Sequence, residues 1–181
     1  MRNVLVTLAV AACTLLPTGL AAQEKLTPEG LPEFLAAYDQ NFDPIEALYT
    51  ELIEGQLPLR DDQGQPLGRR PLEDRRQALS DLREAARQLS RSPQDLVLTA
   101  KLVLRTESLA DDLFDLSQIA YDNDREEQGR RLSDMQITMD HNKEALANYL
   151  LDLAGKQHER IQELEKENAE LQAKLKAAEK K

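Results

Sequence analysis

The chain has 181 residues, 33 acidic against 23 basic for a formal net charge of −10, no Trp and a single cysteine, Cys13. That length supports one hydrophobic core with appendages and not two, and so acidic a surface repels nucleic-acid phosphates, which argues against nucleic acid as a partner. Aromatics are sparse, with three Phe and four Tyr, and Ala, Leu, Glu, Gln, Arg and Lys dominate, so the expected fold is all-α rather than β-rich.

Residues 1–22 carry a basic residue (Arg2), an apolar run from Val4 to Leu16, then Pro17, Gly19 and the small residues Ala21 and Ala22. This is the layout of a secretory signal peptide. The run, about 13 residues, is short of the roughly 20 that a membrane span takes. Cleavage is expected near Ala21 or Ala22, giving an exported, periplasmic or secreted chain that begins near Gln23 and has lost only one charge, Arg2. Two alternatives stay open. Val10, Ala11, Ala12 and Cys13 read as a minimal lipobox that would anchor the chain by a lipid on Cys13, and an uncleaved segment would anchor it directly; only in these two cases is a membrane involved. After ordinary cleavage no cysteine remains, so packing and association must stabilise the fold without disulfides.

Residues 23–154 read as a helical bundle of about five helices with one short hairpin or loop insertion. Thr27 and Pro28 offer a cap and a first helical position, followed by Leu31, Phe34, Leu35, Tyr38 and Phe42 on one face. Asp43, Pro44 and Glu46 form a second start signal ahead of Ile45, Leu48, Tyr49, Leu52 and Ile53, and Gly55 ends that helix. Residues 56–70, QLPLRDDQGQPLGRR, do not read as helix: Pro58 and Pro66 flank a polar centre, which predicts a short hairpin or ordered loop turning at Asp61 to Gly64. Pro71 restarts a helix whose narrow stripe of Leu72, Leu79, Leu82, Ala86 and Leu89 predicts a position at the edge of the bundle. Ser92, Pro93 and Asp95 open the next helix, which is apolar on two faces. Leu96, Ala100, Val103 and Ala110 mark one, and Leu98, Leu102, Leu109, Leu113, Leu116 and Ala120 the other. Asp95 to Tyr121 is therefore the expected central helix.

Asp122, Asn123 and Asp124 look like a turn and cap. From there to Lys181 no proline occurs, and one long helix is predicted, with Gly155 a point of bending or weakness. Leu132, Met135, Met139, Leu146, Leu150 and Leu153 join its first half to the bundle. The pattern turns polar through Gly155, Lys156, Gln157 and His158 and resumes after an extra spacing of four, a stutter that marks where bundle packing gives way to self-association.

Residues 155–181 form the expected coiled-coil extension. Ile161, Leu164, Asn168, Leu171, Leu175 and Ala178 recur at spacings of three and four, with Ile161, Asn168 and Leu175 at a and Leu164, Leu171 and Ala178 at d. A lone Asn at a meets its own copy in a parallel dimer and sets the register at some cost in stability. Arg160 would face Glu165 of a parallel partner, and Lys174 would face Glu179. The expectation is a parallel homodimer. The competing readings are a solvated single helix, since only about two and a half heptads are present, and docking onto another protein's helix.

Catalytic chemistry finds little footing. Nucleophilic catalysis has no cysteine after cleavage and no GxSxG turn. His141 and Glu144 share a helical face, but the order is reversed from the Glu-x-x-His of di-metal bundles and no second site is available. Asp122, Asp124 and Glu126 imitate half a calcium loop, yet Glu127 stands where glycine is needed and Ser133 where the bidentate Glu belongs. Asp111, Asp112 and Asp115 form a carboxylate cluster for which pairing with Arg75 or Arg105 is the plainer role. No metal, cofactor or enzymatic activity is expected. The one basic cluster, Arg69, Arg70, Arg75 and Arg76, opens a helix where cations oppose the dipole. It is a candidate patch for an anionic lipid or an acidic envelope protein, with internal pairing as the alternative. The functional expectation is an exported, non-enzymatic scaffold or adaptor. Its alternative is a periplasmic sensor or chaperone-like module with an apolar groove between the Tyr38 to Ile53 region and the central helix.

Overall fold

In the computed structural model, which describes residues 25–179, the chain is all-α, with five helices in the order α1 (Leu31–Gln40), α2 (Phe42–Ile53), α3 (Arg69–Arg91), α4 (Leu96–Asp122) and α5 (Glu126–Glu179). The signal-like segment with Cys13, Ala21 and Ala22, and Lys180 and Lys181 at the other end, lie outside the described residues. The bundle is antiparallel and in effect four-helical, because α1 and α2 are one helix broken at Asn41. Asn41 keeps a helical backbone, and its N–H still bonds to Tyr38 O at 3.1 Å.

That continuity corrects the start expected at Asp43. With the preceding turn supplying carbonyls, the first turn of α2 needs no side-chain cap, and none is made. The Asp43 carboxylate instead accepts from Arg83 Nη2 of α3 at 2.6 Å. Thr27 does serve the start of α1, where its hydroxyl accepts from Gly30 N at 3.2 Å, although the helix itself begins at Leu31.

Residues 56–68 make the ordered turn their prolines called for. Arg60 and Pro66 form one antiparallel bridge, Leu67 N bonds to Leu59 O at 3.1 Å, and Asp61 Oδ1 accepts from the N–H groups of Gln63 and Gln65. Gly64 closes the turn at φ +73°, a backbone that a side chain would strain. Leu57 and Leu59 are buried in the core. The loop is pinned by Asn123 at the end of α4, whose side-chain oxygen accepts from Arg60 N at 3.0 Å while its amide donates to Arg60 O at 2.8 Å. Asn123→Ala deletes both bonds and is expected to cost about 1.5 kcal/mol of stability. Thermal unfolding checks this, and a change below about 0.3 kcal/mol would show that the loop is held by Leu57 and Leu59 alone.

Helix α3 starts at Arg69, two residues before Pro71, and it is not at the edge. It packs against α1, α2 and α4. Its buried stripe of Leu72, Leu79, Leu82 and Leu89 is completed by the small side chains of Ala85 and Ala86. Long side chains then reach across its flanks. Arg83 lies over the Phe42 ring at 5.6 Å and pairs with Asp43 at 2.6 Å, Glu46 at 3.3 Å and Asp39 at 3.9 Å. Burial opposes the Arg83 charge, but the Asp43 hydrogen bond and the charges of Asp39, Asp43 and Glu46 outweigh it and raise its pKa.

Helix α4 lies between α3 and α5 and shares its longest interface with α5. Asp95 caps it, accepting from Leu98 N at 2.9 Å. Leu102, Leu109, Leu113, Leu116 and Ala120 are buried, with Leu96, Leu98 and Val103 packed at the margin. Three buried Thr and Ser side chains, Thr99, Thr106 and Ser117, sit on α4, and each hydroxyl bonds to one of the chain's own carbonyls on that helix or its cap: Thr99 to Asp95, Thr106 to Leu102, Ser117 to Phe114. None is left unpaired, so their burial is inexpensive. Because Thr106 gives its proton to Leu102 O, the Tyr38 hydroxyl donates to Thr106 Oγ1 at 2.6 Å, fixing α1 against α4.

The α4–α5 connection turns at Asp124, in the left-handed region at φ 55°. Just beyond it Gly129 is buried against Tyr121; a Cβ there would lie 2.8 Å from the ring, so any larger residue would have to displace the Tyr121 side chain. Leu132, Met139, Leu146, Tyr149 and Leu153 line the core side of α5. Arg131 reaches Glu51 of α2 at 3.9 Å, and Lys25 pairs with Asp152 at 2.8 Å. The helix runs unbroken through Gly155 to Glu179.

Candidate functional site

The most distinctive surface is the free half of α5. Past Leu153 every side chain from Ala154 to Ala178 is exposed, and no other helix accompanies this arm among the described residues. Its apolar seam is open: Ile161 is 53 % exposed, Leu164 40 %, Leu171 56 % and Leu175 63 %, with Asn168 and Ala178 exposed between and beyond them. Arg160 is held within its own helix by Glu163 at 3.0 Å, and His158 meets Gln162 at 2.9 Å. These are surface contacts of little energetic weight.

The seam also has a definite direction. Leu146 and Leu153, seven residues apart, face the core. From Leu153 the next apolar seam position on the same side is Leu164, eleven residues on, and eleven residues complete three helical turns to within about 20°. Leu164 and Leu171 therefore continue the stripe of Leu146 and Leu153. The face that packs into the bundle is the face the arm presents beyond it.

The members of the basic cluster differ in their surroundings. Arg69 Nε pairs with Glu73 at 2.9 Å within α3, and Arg75 Nε turns into the α3–α4 groove to reach Asp112 at 3.3 Å. Arg70 and Arg76 stay exposed, and neither makes an ion pair among the described residues.

The carboxylate cluster on α4 is likewise divided. Asp111 and Asp115 are exposed and Asp112 is half-buried beside Arg75. Arg105 bonds to the Asp81 carbonyl at 3.2 Å. Arg75, Asp81, Arg105 and Asp112, with Ser108 and Leu109, line a cavity of about 110 Å³, and Asp111 and Asp115 stand outside it. Burial pushes the Asp112 carboxyl above its usual range, Arg75 pulls it back, and Asp115 and Asp111 push it further up. A carboxyl raised on folding opposes the fold when ionised, so this group's contribution is lost as pH rises through its folded value. Its geometry joins α3 to α4 without adding an ionised pair of great worth. Below it, the fully buried Tyr49 hydroxyl has no hydrogen-bond partner among the described residues. Burial and the Asp112 charge hold it protonated far above neutrality, against the opposing pull of Arg75.

His141 and Glu144 are both exposed, as are Asp122, Asp124 and Glu126. Among the described residues no three His, Cys, Asp or Glu side chains come together as a metal site would require. The apolar groove expected between the Tyr38 to Ile53 region and α4 is closed, with Tyr38, Phe42, Ile45, Leu48, Tyr49 and Leu52 all buried. The aromatic contacts of Tyr38, stacked on Phe34 and edge-on to Phe42, fill that space. Sequence reasoning passed over Arg83. The signal was there in Asp39, Asp43 and Glu46, whose spacings of four and three place three acids on one helical face with a single cation to meet them.

No protein-family model matches the chain, and no curated protein or solved structure is similar to it. Among the described residues no helix is long and apolar enough to cross a membrane.

Proposed function

We propose that the chain is an exported, non-enzymatic scaffold that joins two bundles through the seam of its C-terminal arm. One observation supports this above the others: a bundle that buries its apolar side chains is extended by a helical arm whose Ile161, Leu164, Leu171 and Leu175 are left in water. An isolated two-stranded seam of this kind is stabilised only when a second helix covers it. Asn168 limits the ways in which that can happen, because burying an amide against apolar neighbours without a partner is costly. Export rests on the signal-like layout of residues 1–22. Arg70 and Arg76, the exposed members of the basic cluster, provide the place for an acidic envelope protein.

Light scattering on the full chain and on a chain ending after Gly155 tests the proposal. The full chain is expected at twice its single-chain mass and the shortened one at the single-chain mass. A single-chain mass for both would remove the scaffold reading.

A further inference from the structure

We infer that two copies pair their arms antiparallel, each arm lying in the angle between its partner's arm and its partner's bundle. The inference rests on the self-association proposed above and adds its orientation. It follows from the direction of the seam. Leu164 and Leu171 prolong the stripe of Leu146 and Leu153, so any helix that covers the arm sits on the same side of α5 as the bundle. Packed helices lie about 8–10 Å apart.

In a parallel pair the partner's α5 would run on, at that spacing, into the space this bundle fills, and each bundle would meet the other at the same level. Only a sharp divergence of both helices near residues 154–160 would avoid this, whereas α5 is one unbroken helix there. In an antiparallel pair the bundles lie at opposite ends and nothing has to bend.

The spacing of the seam fits that arrangement. Aligning Ile161 with the partner's Ala178 also sets Leu164 against the partner's Leu175 and Asn168 against the partner's Leu171, so all six seam positions are matched. At the centre of the seam the flanking charges agree: Glu167 faces the partner's Lys174 twice across the two-fold axis, while Glu165 faces the neutral Gln172 of the partner. The two Asn168 side chains fall in adjacent layers, about 5 Å apart along the axis, where their amides can bond to each other.

Cysteine cross-linking in the full chain, with Cys13→Ser as background, tests the orientation. Ile161→Cys and Ala178→Cys are made singly, their masses measured by light scattering, and each is oxidised alone and after mixing and re-equilibration. In the antiparallel pair the two copies of residue 178 are about 25 Å apart, beyond the roughly 7 Å that a disulfide spans between Cα atoms. Neither variant alone is expected to link, and the mixture is expected to link in about half of its dimers, the random share of mixed pairs. Ala178→Cys linking efficiently to itself would establish a parallel pair and overturn the orientation while leaving self-association intact. A dimer that links in none of the three samples would overturn this register. A single-chain mass throughout, whether the seam is bare or covered by the chain's own residues 1–24, would overturn both the orientation and the self-association beneath it.

Discussion

Leu113→Ala is expected to lower the stability of the bundle by about 3 kcal/mol, and Leu104→Ala on the same helix by less than about 0.5 kcal/mol. Leu113 is fully buried on α4 between α3 and α5, whereas Leu104 is 64 % exposed on the outer side of that helix. Removing Leu113 leaves a cavity that a close-packed bundle fills only in part. Removing Leu104 uncovers little that water does not already touch. Urea unfolding of the two variants beside the parent protein measures the difference. Equal losses would mean that a second surface covers the outer face of α4, and that the helix is enclosed on all sides.

Arg83→Ala is expected to cost about 2 kcal/mol. Its side chain is mostly buried and its guanidinium serves three carboxylates at once, while Asp43 and Glu46 remain largely in water and recover much of their hydration when it is removed. Asp39 is the costly member. One of its oxygens is already buried without a hydrogen-bond partner, and loss of Arg83 would leave the carboxylate uncompensated at the joint of α1 and α2. Arg83→Lys is expected to recover less than half of the loss, because an ammonium cannot reach three carboxylates and lie flat over Phe42. Urea unfolding again decides it, and a loss below about 0.5 kcal/mol for Arg83→Ala would show that the cluster is surface decoration.

Helix boundaries were the most legible part of the chain, because single residues mark them. Gly55 ends α2, Asp95 caps α4, and the Pro58 to Pro66 segment makes the ordered turn. The joint at Asn41 was harder to read: Asp43 and Pro44 imitate a helix start, and only the uninterrupted supply of carbonyls from α1 makes a cap unnecessary. Helix α3 read as an edge helix because its apolar stripe, Leu72, Leu79, Leu82, Ala86 and Leu89, is narrow, whereas that stripe packs against α1, α2 and α4. The expected groove failed for a related reason. Periodicity shows which residues face inward but not whether opposing rings, here Tyr38 and Phe42, fill the space they share.

The seam was legible as a heptad, and its direction could be counted from the eleven residues between Leu153 and Leu164. Its bearing on orientation emerges only when the bundle is seen to occupy that same side. Asn168 and the flanking charges bear only on the contacts that a second helix would make with the arm, and steric fit with the rest of the molecule is a separate constraint that no pairwise rule contains. For Arg69, Arg70, Arg75 and Arg76 the sequence could not distinguish a patch from internal pairing. The structure pairs Arg69 and Arg75 internally and leaves Arg70 and Arg76 in water.

The central claim is that the seam of α5 holds two copies together, and sedimentation equilibrium on the full chain carrying Leu164→Asp and Leu171→Asp, beside the parent, tests it most directly. The parent is expected at twice the single-chain mass and the variant at the single-chain mass. Thermal unfolding of the bundle should stay unchanged, since both residues lie beyond Leu153 and touch nothing in it. A variant that keeps the doubled mass, or a parent already at the single-chain mass, would contradict the account.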